Sequence, residues 1–368
     1  SWEEDEGVAA EEARLSNGRL GEDDVVAYRG LHYIYISDTG ARVPAVRGVS
    51  LGLRRGECFG LLGPNGAGKT TTLACLTGEL WPLSAGSIFF EGRDVLREGF
   101  EALYGKLGLC LQHDTHLWEN LTGMEHLHFY GCVKGVPEQS LAWEVDAVLE
   151  HVRLKVRDAS RPAGEYSGGM RRRLSMAIAL LGRPPMLFMD EPTAGVDAMV
   201  KRQLWKVVKG RGADQMVLLT SHQMEEVEAL CDRVAIQVLG RLRALGTVAH
   251  LRRRYGRGYQ LELLSDVQRE GGNDENDAAM AKLEAFVHER VYPGAKLLEK
   301  QLGRAVFELE DMGEGGRPSL SMLFNEVTRA KTELSLRDYS VRQPTLEQVF
   351  IRFANEQEEA EARQRTVS

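Results

Sequence analysis

At 368 residues, with 43% hydrophobic and 27% charged residues, the chain has ordinary globular composition and is long enough for two domains, each with its own core. The net charge of −8 sits at the ends: residues 1–24 contribute −7 and residues 356–368 contribute −2, leaving a near-neutral body that argues against nucleic-acid binding by bulk charge. Five cysteines without a CxxC pair argue against a disulfide framework or zinc site and point to a reducing, intracellular setting; no apolar run approaches the ~20 residues of a membrane span. Residues 1–22 read as an acidic, disordered leader. There is no signal-peptide pattern, and a chain opening on Ser1 rather than Met is expected to be a fragment or a processed piece.

From residue 23 to 245, short apolar runs alternate with helical patterns, the sign of an α/β domain. The runs "CFGLL" (58–62), "MLFMD" (186–190), "MVLLTSH" (216–222) and "VAIQVL" (234–239) predict strands. A basic stretch over 246–258 predicts a linker, and residues 259–355 predict a second, smaller domain. There the alternation of Tyr259, Leu261 and Leu263 predicts a strand, followed by an acidic Gly/Asn loop at 270–277. A helix with Met280, Leu283 and Val287 on one face comes next, then a hairpin turning near Gly303. A helix with Leu320, Leu323, Phe324 and Val327, a strand "LSLRDYSV", and a last helix with Leu346, Val349, Phe350 and Phe353 close the series. The order β-α-β-β-α-β fits a ferredoxin-like split unit with one extra helix, and residues 356–368 read as an acidic tail.

The chemistry concentrates in "GLLGPNGAGKTTT" (60–72), where Gly63-x-x-x-x-Gly68-Lys69-Thr70 follows an apolar strand and opens a helix. Glycines let backbone N–H groups close around a β-phosphate, and the helix N-terminus adds a favourable dipole. Lys69 is then placed for the β- and γ-phosphates of a nucleoside triphosphate, and the Thr70 hydroxyl for Mg²⁺. In "PPMLFMDEP" (184–192), Asp190 ends a buried strand, where a carboxylate serves the Mg²⁺ shell, and Glu191 is positioned to polarise an attacking water.

Around these parts the chain resembles the ABC ATPases. "YSGGM" (166–170) is similar to their signature motif, "AGVD" (194–197) to their D-loop, Gln112 to the Q-loop glutamine, His222 to the switch histidine, and Tyr35 to the aromatic that stacks on adenine. "LTSHQMEEVEALCDRVAI" and "DYSVRQPTLEQVFIRFANE" narrow the resemblance to the A subfamily of ABC transporters, known for lipid export, whose nucleotide-binding domain precedes a small regulatory domain. The acidic leader and the ending soon after "TLEQVF" point to the second of two cassettes. Tyr166 and Met170 depart from the motif's usual Leu and Gln.

The resemblance implies a P-loop α/β fold with a helical signature subdomain, and a nucleotide site lined by Tyr35, Gly63, Pro64, Asn65, Gly66, Ala67, Gly68, Lys69, Thr70, Thr71, Gln112, Asp190 and Asp197. Ser167, Gly168 and Gly169 would complete the site of a partner cassette, with Arg171–Arg173 on a solvated or interface face. Mg²⁺ would be held through Thr70, Gln112 and Asp190, and Lys69, Gln112, Glu191 and His222 would serve hydrolysis of ATP. Part of "LWENLTGMEHLHFYG" (117–131) would meet membrane helices encoded elsewhere, which places the domain at the cytoplasmic face of a membrane. The alternatives are a soluble ABC ATPase of DNA repair or translation, which would carry a coiled-coil insertion or CxxC pairs, and a nucleotide-sensing scaffold.

Overall fold

A computed structural model describes residues 5–16, 20–21, 23–38, 40–255, 259–265, 273–301, 303–309, 319–342, 345–351, 353–355 and 357. They divide into two compact units, residues 1–248 with 353–368, and residues 249–352.

The first unit opens with helix α1 (Glu6–Ser16), then β1 (Asp24–Ile36), β2 (Arg42–Arg54) and β3 (Cys58–Leu62), with helix α2 (Lys69–Thr77) directly after the glycine-rich turn. Strands β4 (Ala85–Phe90), β5 (Arg93–Asp94) and β6 (Leu107–Cys110) follow. Helices α3 (Gly123–Val133), α4 (Glu138–Val152) and α5 (Gly168–Leu180) come before β7 (Met186–Asp190). Then come α6 (Ala198–Lys209), β8 (Met216–Ser221), α7 (Met224–Leu230), β9 (Arg233–Val238) and β10 (Arg241–Gly246).

One sheet runs β2-β1-β4-β5 and is antiparallel; the other runs β10-β9-β3-β8-β7-β6. Within the second, β9, β3, β8, β7 and β6 are parallel and buried, which is why they read as continuous apolar runs rather than alternating ones. The pairings Leu62↔Ser221, Asp190↔Thr220 and Cys110↔Met189 bring the carboxyl ends of four neighbouring strands to one edge. In a parallel sheet that edge is where ligands bind, and it is where the candidate residues lie.

The leader departs from the expected disorder. Val8, Glu11 and Leu15 recur at three- and four-residue spacing, and α1 buries that face against β2 and β10. Glu11 accepts from the Gly52 amide at 2.9 Å and pairs with Arg14, which also reaches Asp24. Counting the acids hid this stripe; residues 1–4, 17–19 and 22 of the expected leader lie outside the described residues. Leu15 is 1% exposed, so Leu15→Ala is expected to destabilise the first unit by about 2–4 kcal/mol. A denaturant midpoint unchanged from wild type would contradict the docking of α1.

After helix α8 (Val248–Tyr255), the second unit holds β11 (Tyr259–Ser265), α9 (Asn273–Phe286), β12 (Lys296–Gln301), β13 (Arg304–Leu309), α10 (Leu320–Ala330) and β14 (Leu336–Arg342). Its antiparallel order β12-β13-β11-β14 is that of a ferredoxin-like β-α-β-β-α-β unit, closed around Leu261, Leu263, Phe307, Leu323 and Val327. The loop expected at 270–277 is shorter than predicted, since α9 starts at Asn273; residues 270–272 lie outside the described residues. The expected linker is not extended either. Val248–Tyr255 is helical with Leu251 buried, while residues 256–258 lie outside the described residues. Within the expected acidic tail, Gln357 is helical and buried; residues 356 and 358–368 lie outside the described residues.

Candidate nucleotide-binding and catalytic site

The turn between β3 and α2 carries Gly63 to Gly68, and positive φ values at Gly66 (78°) and Gly68 (98°) explain why glycine is needed there. A side chain at Gly68 would run into the Ala45 carbonyl. Lys69, at the first position of α2, folds its ammonium over the same loop, donating to the carbonyls of Gly63 (2.9 Å) and Pro64 (3.2 Å). Burial lowers the pKa of this ammonium from its ordinary value, while Glu191 and Asp190 act in the opposite direction. Thr70 is exposed on the first turn. Thr71 Oγ1 lies 3.3 Å from the hydroxyl of half-exposed Tyr35, whose ring sits edge-on to Tyr33 at 5.0 Å. Tyr35 therefore stands beside the loop and is 41% exposed.

At the ends of β7 and β8 the acids and their partners meet. Asp190 is buried and its Oδ1 accepts the Thr220 hydroxyl proton. Glu191 is 9% exposed and has φ 44°, a left-handed conformation uncommon outside glycine. Its backbone N–H is held by the carbonyl and hydroxyl oxygens of Thr220, both at 3.1 Å. Its carboxylate bridges two residues read from the sequence: Gln112 Nε2 donates to Oε2 at 3.1 Å, and His222 Nδ1 lies 3.1 Å from Oε1. His222 is itself open to solvent. Gln112, Glu191 and His222, spread over 110 residues of chain, thus form one connected group at the sheet edge.

Ser167 and Asp197 are helix caps here. The Ser167 hydroxyl accepts from Met170 N at 3.3 Å at the start of α5. Asp197 Oδ1 accepts from Met199 N (2.9 Å) and Val200 N (3.0 Å) at the start of α6. Ser167 and Gly168 are exposed, so the amino end of α5 faces outward rather than into the Lys69 loop's own strand-edge group.

The expectation for Arg171–Arg173 fails at its middle member. Arg172 is 3% exposed. Its guanidinium donates to the carbonyls of Leu111, Gln112 (3.4 Å), Asp190 (3.1 Å), Glu191 (2.9 Å) and Pro192 (2.5 Å), and reaches Asp114 at 3.4 Å. One side chain on the first turns of α5 thereby ties that helix to the Gln112 segment and to the Asp190–Glu191 backbone. The clue was available: Arg172, Met176 and Ala179 lie at i, i+4, i+7 on the buried face of α5. Arg171 and Arg173 lie nearer the surface, beside Glu119 (3.7 Å) and Gln203 (2.6 Å).

Glu226 was also missed. It is fully buried and accepts from Thr193 Oγ1 (2.8 Å), Trp205 Nε1 (3.2 Å) and Ser221 Oγ (2.8 Å), bracing the segments that follow Glu191 and precede His222. Nothing in the spacing of "MEEVEAL" separates it from its acidic neighbours.

Thr70 hydroxyl, Gln112 amide oxygen and Asp190 carboxylate are hard oxygen donors of the kind that Mg²⁺ accepts. Among the described residues no three His, Cys, Asp or Glu side chains form a metal cage. The donors therefore suit an ion that completes its shell with phosphate oxygens and water.

An ABC transporter family profile matches residues 46–194, which hold the Lys69 loop, Gln112, the signature and the Asp190–Glu191 pair. The chain belongs to the ABC transporter family. It is 41% identical over 365 residues to mouse ATP-binding cassette sub-family A member 7, covering 98% of this chain and 16% of that protein. It is 41% identical over 360 residues to human phospholipid-transporting ATPase ABCA7, covering 96% of this chain and 16% of that protein. Among solved structures, the dimeric post-hydrolysis state of the ATP-binding cassette MJ0796, bound to ADP and Pi, superposes with a TM-score of 0.55 at 21% identity, covering 60% of this chain and 98% of that one. The chain thus spans about a sixth of the length of these curated relatives, and among its described residues no helix is long and apolar enough to cross a membrane.

Proposed function

We propose that this ABC cassette binds ATP with Mg²⁺ and hydrolyses it to drive lipid movement by membrane helices belonging to the same transporter. The observation that carries the reading is the Gln112–Glu191–His222 group standing at the strand edge that also holds the Lys69 loop. The similarity to a phospholipid-transporting ATPase supports the lipid part, and nothing in the comparisons favours a soluble repair or translation factor or a scaffold.

The geometry supports the following roles. Lys69 exchanges the carbonyls of Gly63 and Pro64 for β- and γ-phosphate oxygens, and α2 presents its amino end to the same charge. Glu191 takes the proton of the attacking water, held in aim by Gln112 and His222, and His222 also reaches the γ-phosphate. Thr70, Gln112 and Asp190 would hold Mg²⁺, which would supply positive charge to offset that of the phosphates. The outward-facing Ser167, Gly168 and Gly169 close over the γ-phosphate of a second cassette, with Asp197 at the same interface. Met170 brings no amide to that contact, so backbone N–H groups and the Ser167 hydroxyl carry it. Trp118 (46% exposed), in the loop before α3, and Phe129 (47% exposed), on α3, are in edge contact at 5.2 Å and dock on the membrane helices.

Lys69→Ala is expected to weaken ATP binding about tenfold or more, read by calorimetric titration. Unchanged affinity would remove the loop from the site. The transport reading is tested with the full-length protein in liposomes. ATP-dependent movement of labelled phospholipid or sterol supports it, and ATP turnover with neither lipid displaced refutes the lipid assignment.

A further inference from the structure

Gln357 stands in a segment whose sequence suggested a solvated acidic tail, yet it is 3% exposed and packed in the first unit against the nucleotide loop. Its Nε2 donates to the Asn65 carbonyl at 3.0 Å, and its Oε1 accepts from Leu239 N at 3.3 Å. The turn it grips, Leu239–Gly240, connects β9 to β10 and has positive φ at both residues (49° and 77°). From the same turn, Gly240 N donates to the Ala67 carbonyl at 2.9 Å. Two carbonyls of the loop, Asn65 and Ala67, are therefore held from one side, one by the Gln357 amide and one by the turn that this amide also holds.

We infer that Gln357 is a positioning residue for the phosphate loop. In a trans peptide the N–H of Gly66 points opposite to the Asn65 carbonyl. A donor fixed on the carbonyl turns the Gly66 N–H towards the other face of the loop, where a β-phosphate is cradled. Gly66, at φ 78°, follows the central peptide of a turn closed by Ala67 N on the Pro64 carbonyl (3.2 Å); that bond joins the ends of the turn, while the Gln357 amide holds the central carbonyl itself. The terminal segment thus sets part of the affinity for nucleotides that carry a β-phosphate. The inference rests on the nucleotide reading of the loop given above.

The experiment compares Gln357→Glu and Gln357→Met with wild type and Lys69→Ala, in the complete chain. Glu keeps the acceptor for Leu239 N but sets a carboxylate oxygen against the Asn65 carbonyl; Met keeps the volume and loses both bonds. Calorimetric titration is expected to show Kd for ATP and for ADP raised by the same factor, about five- to tenfold, in Gln357→Glu. Gln357→Met should show a smaller loss, with the melting temperature of the nucleotide-free protein close to wild type in both. Affinities within twofold of wild type in both variants overturn the inference, provided that Lys69→Ala still loses binding. A loss that follows a fall in nucleotide-free stability also overturns it, since the residue then serves folding. If wild type itself binds neither ATP nor ADP, the nucleotide reading falls and takes this inference with it.

Discussion

Glu191→Gln is expected to slow ATP turnover about a thousandfold while leaving ATP binding near the wild-type value. The substitution preserves size and the contact to Gln112, yet removes the oxygen that takes a proton from water; general-base catalysis of this kind is worth about 10²–10⁴ in rate. Glu191 is the common partner of Gln112 and His222, at 3.1 Å from each. Losing the charge therefore also loosens the orientation of the His222 ring. The measurement is steady-state phosphate release alongside nucleotide binding. Comparable turnover in the variant and wild type would take the proton-accepting role away from Glu191. Binding lost together with turnover would mean that the carboxylate supports the loop rather than the chemistry.

The second large effect is expected at Arg172. Arg172→Met removes a buried charge that five backbone carbonyls accept, leaving those oxygens without their donor. Breaking a buried, hydrogen-bonded charge by deleting one side costs about 3–5 kcal/mol. Chemical denaturation should show that loss in the first unit. Turnover should fall further than stability explains, because the Glu191 carbonyl is one of the five. Arg172→Lys keeps the charge without the planar fork and should recover part of the stability. A denaturation midpoint within experimental error of wild type for Arg172→Met would show that water satisfies the carbonyls instead.

These two residues also mark where the sequence was legible and where it was not. Glu191 could be found because its context is local: four apolar residues, two acids, a proline, all in one run whose burial in a parallel sheet makes it read as a strand. Lys69 was equally plain, since a phosphate loop must be contiguous. The second unit's β-α-β-β-α-β order was readable because each element has its own period.

Arg172 was misread because three adjacent arginines look like a solvated face, and only the three-dimensional approach of Leu111, Gln112 and Pro192 makes a sink for the middle one. The α1 helix was hidden by its acids, although Glu11 is consumed by the Gly52 amide and Arg14. Gln357 lay beyond reach for a related reason: its partners, Asn65 and Leu239, are 292 and 118 residues away in the chain.

The backbone at Glu191 has one more consequence. At φ 44° this position would be most relaxed as glycine, or as asparagine, whose short amide tolerates the left-handed region. The proposed chemistry asks for a carboxylate there, which is among the less comfortable choices. Fold and reaction thus make opposing demands on a single residue, and a mutational survey scored on stability alone would rank as improvements the very replacements that abolish turnover. Substitutions at 191 should be judged on two axes at once, since a protein selected only for robustness would drift towards a cassette that holds nucleotide and never releases its energy.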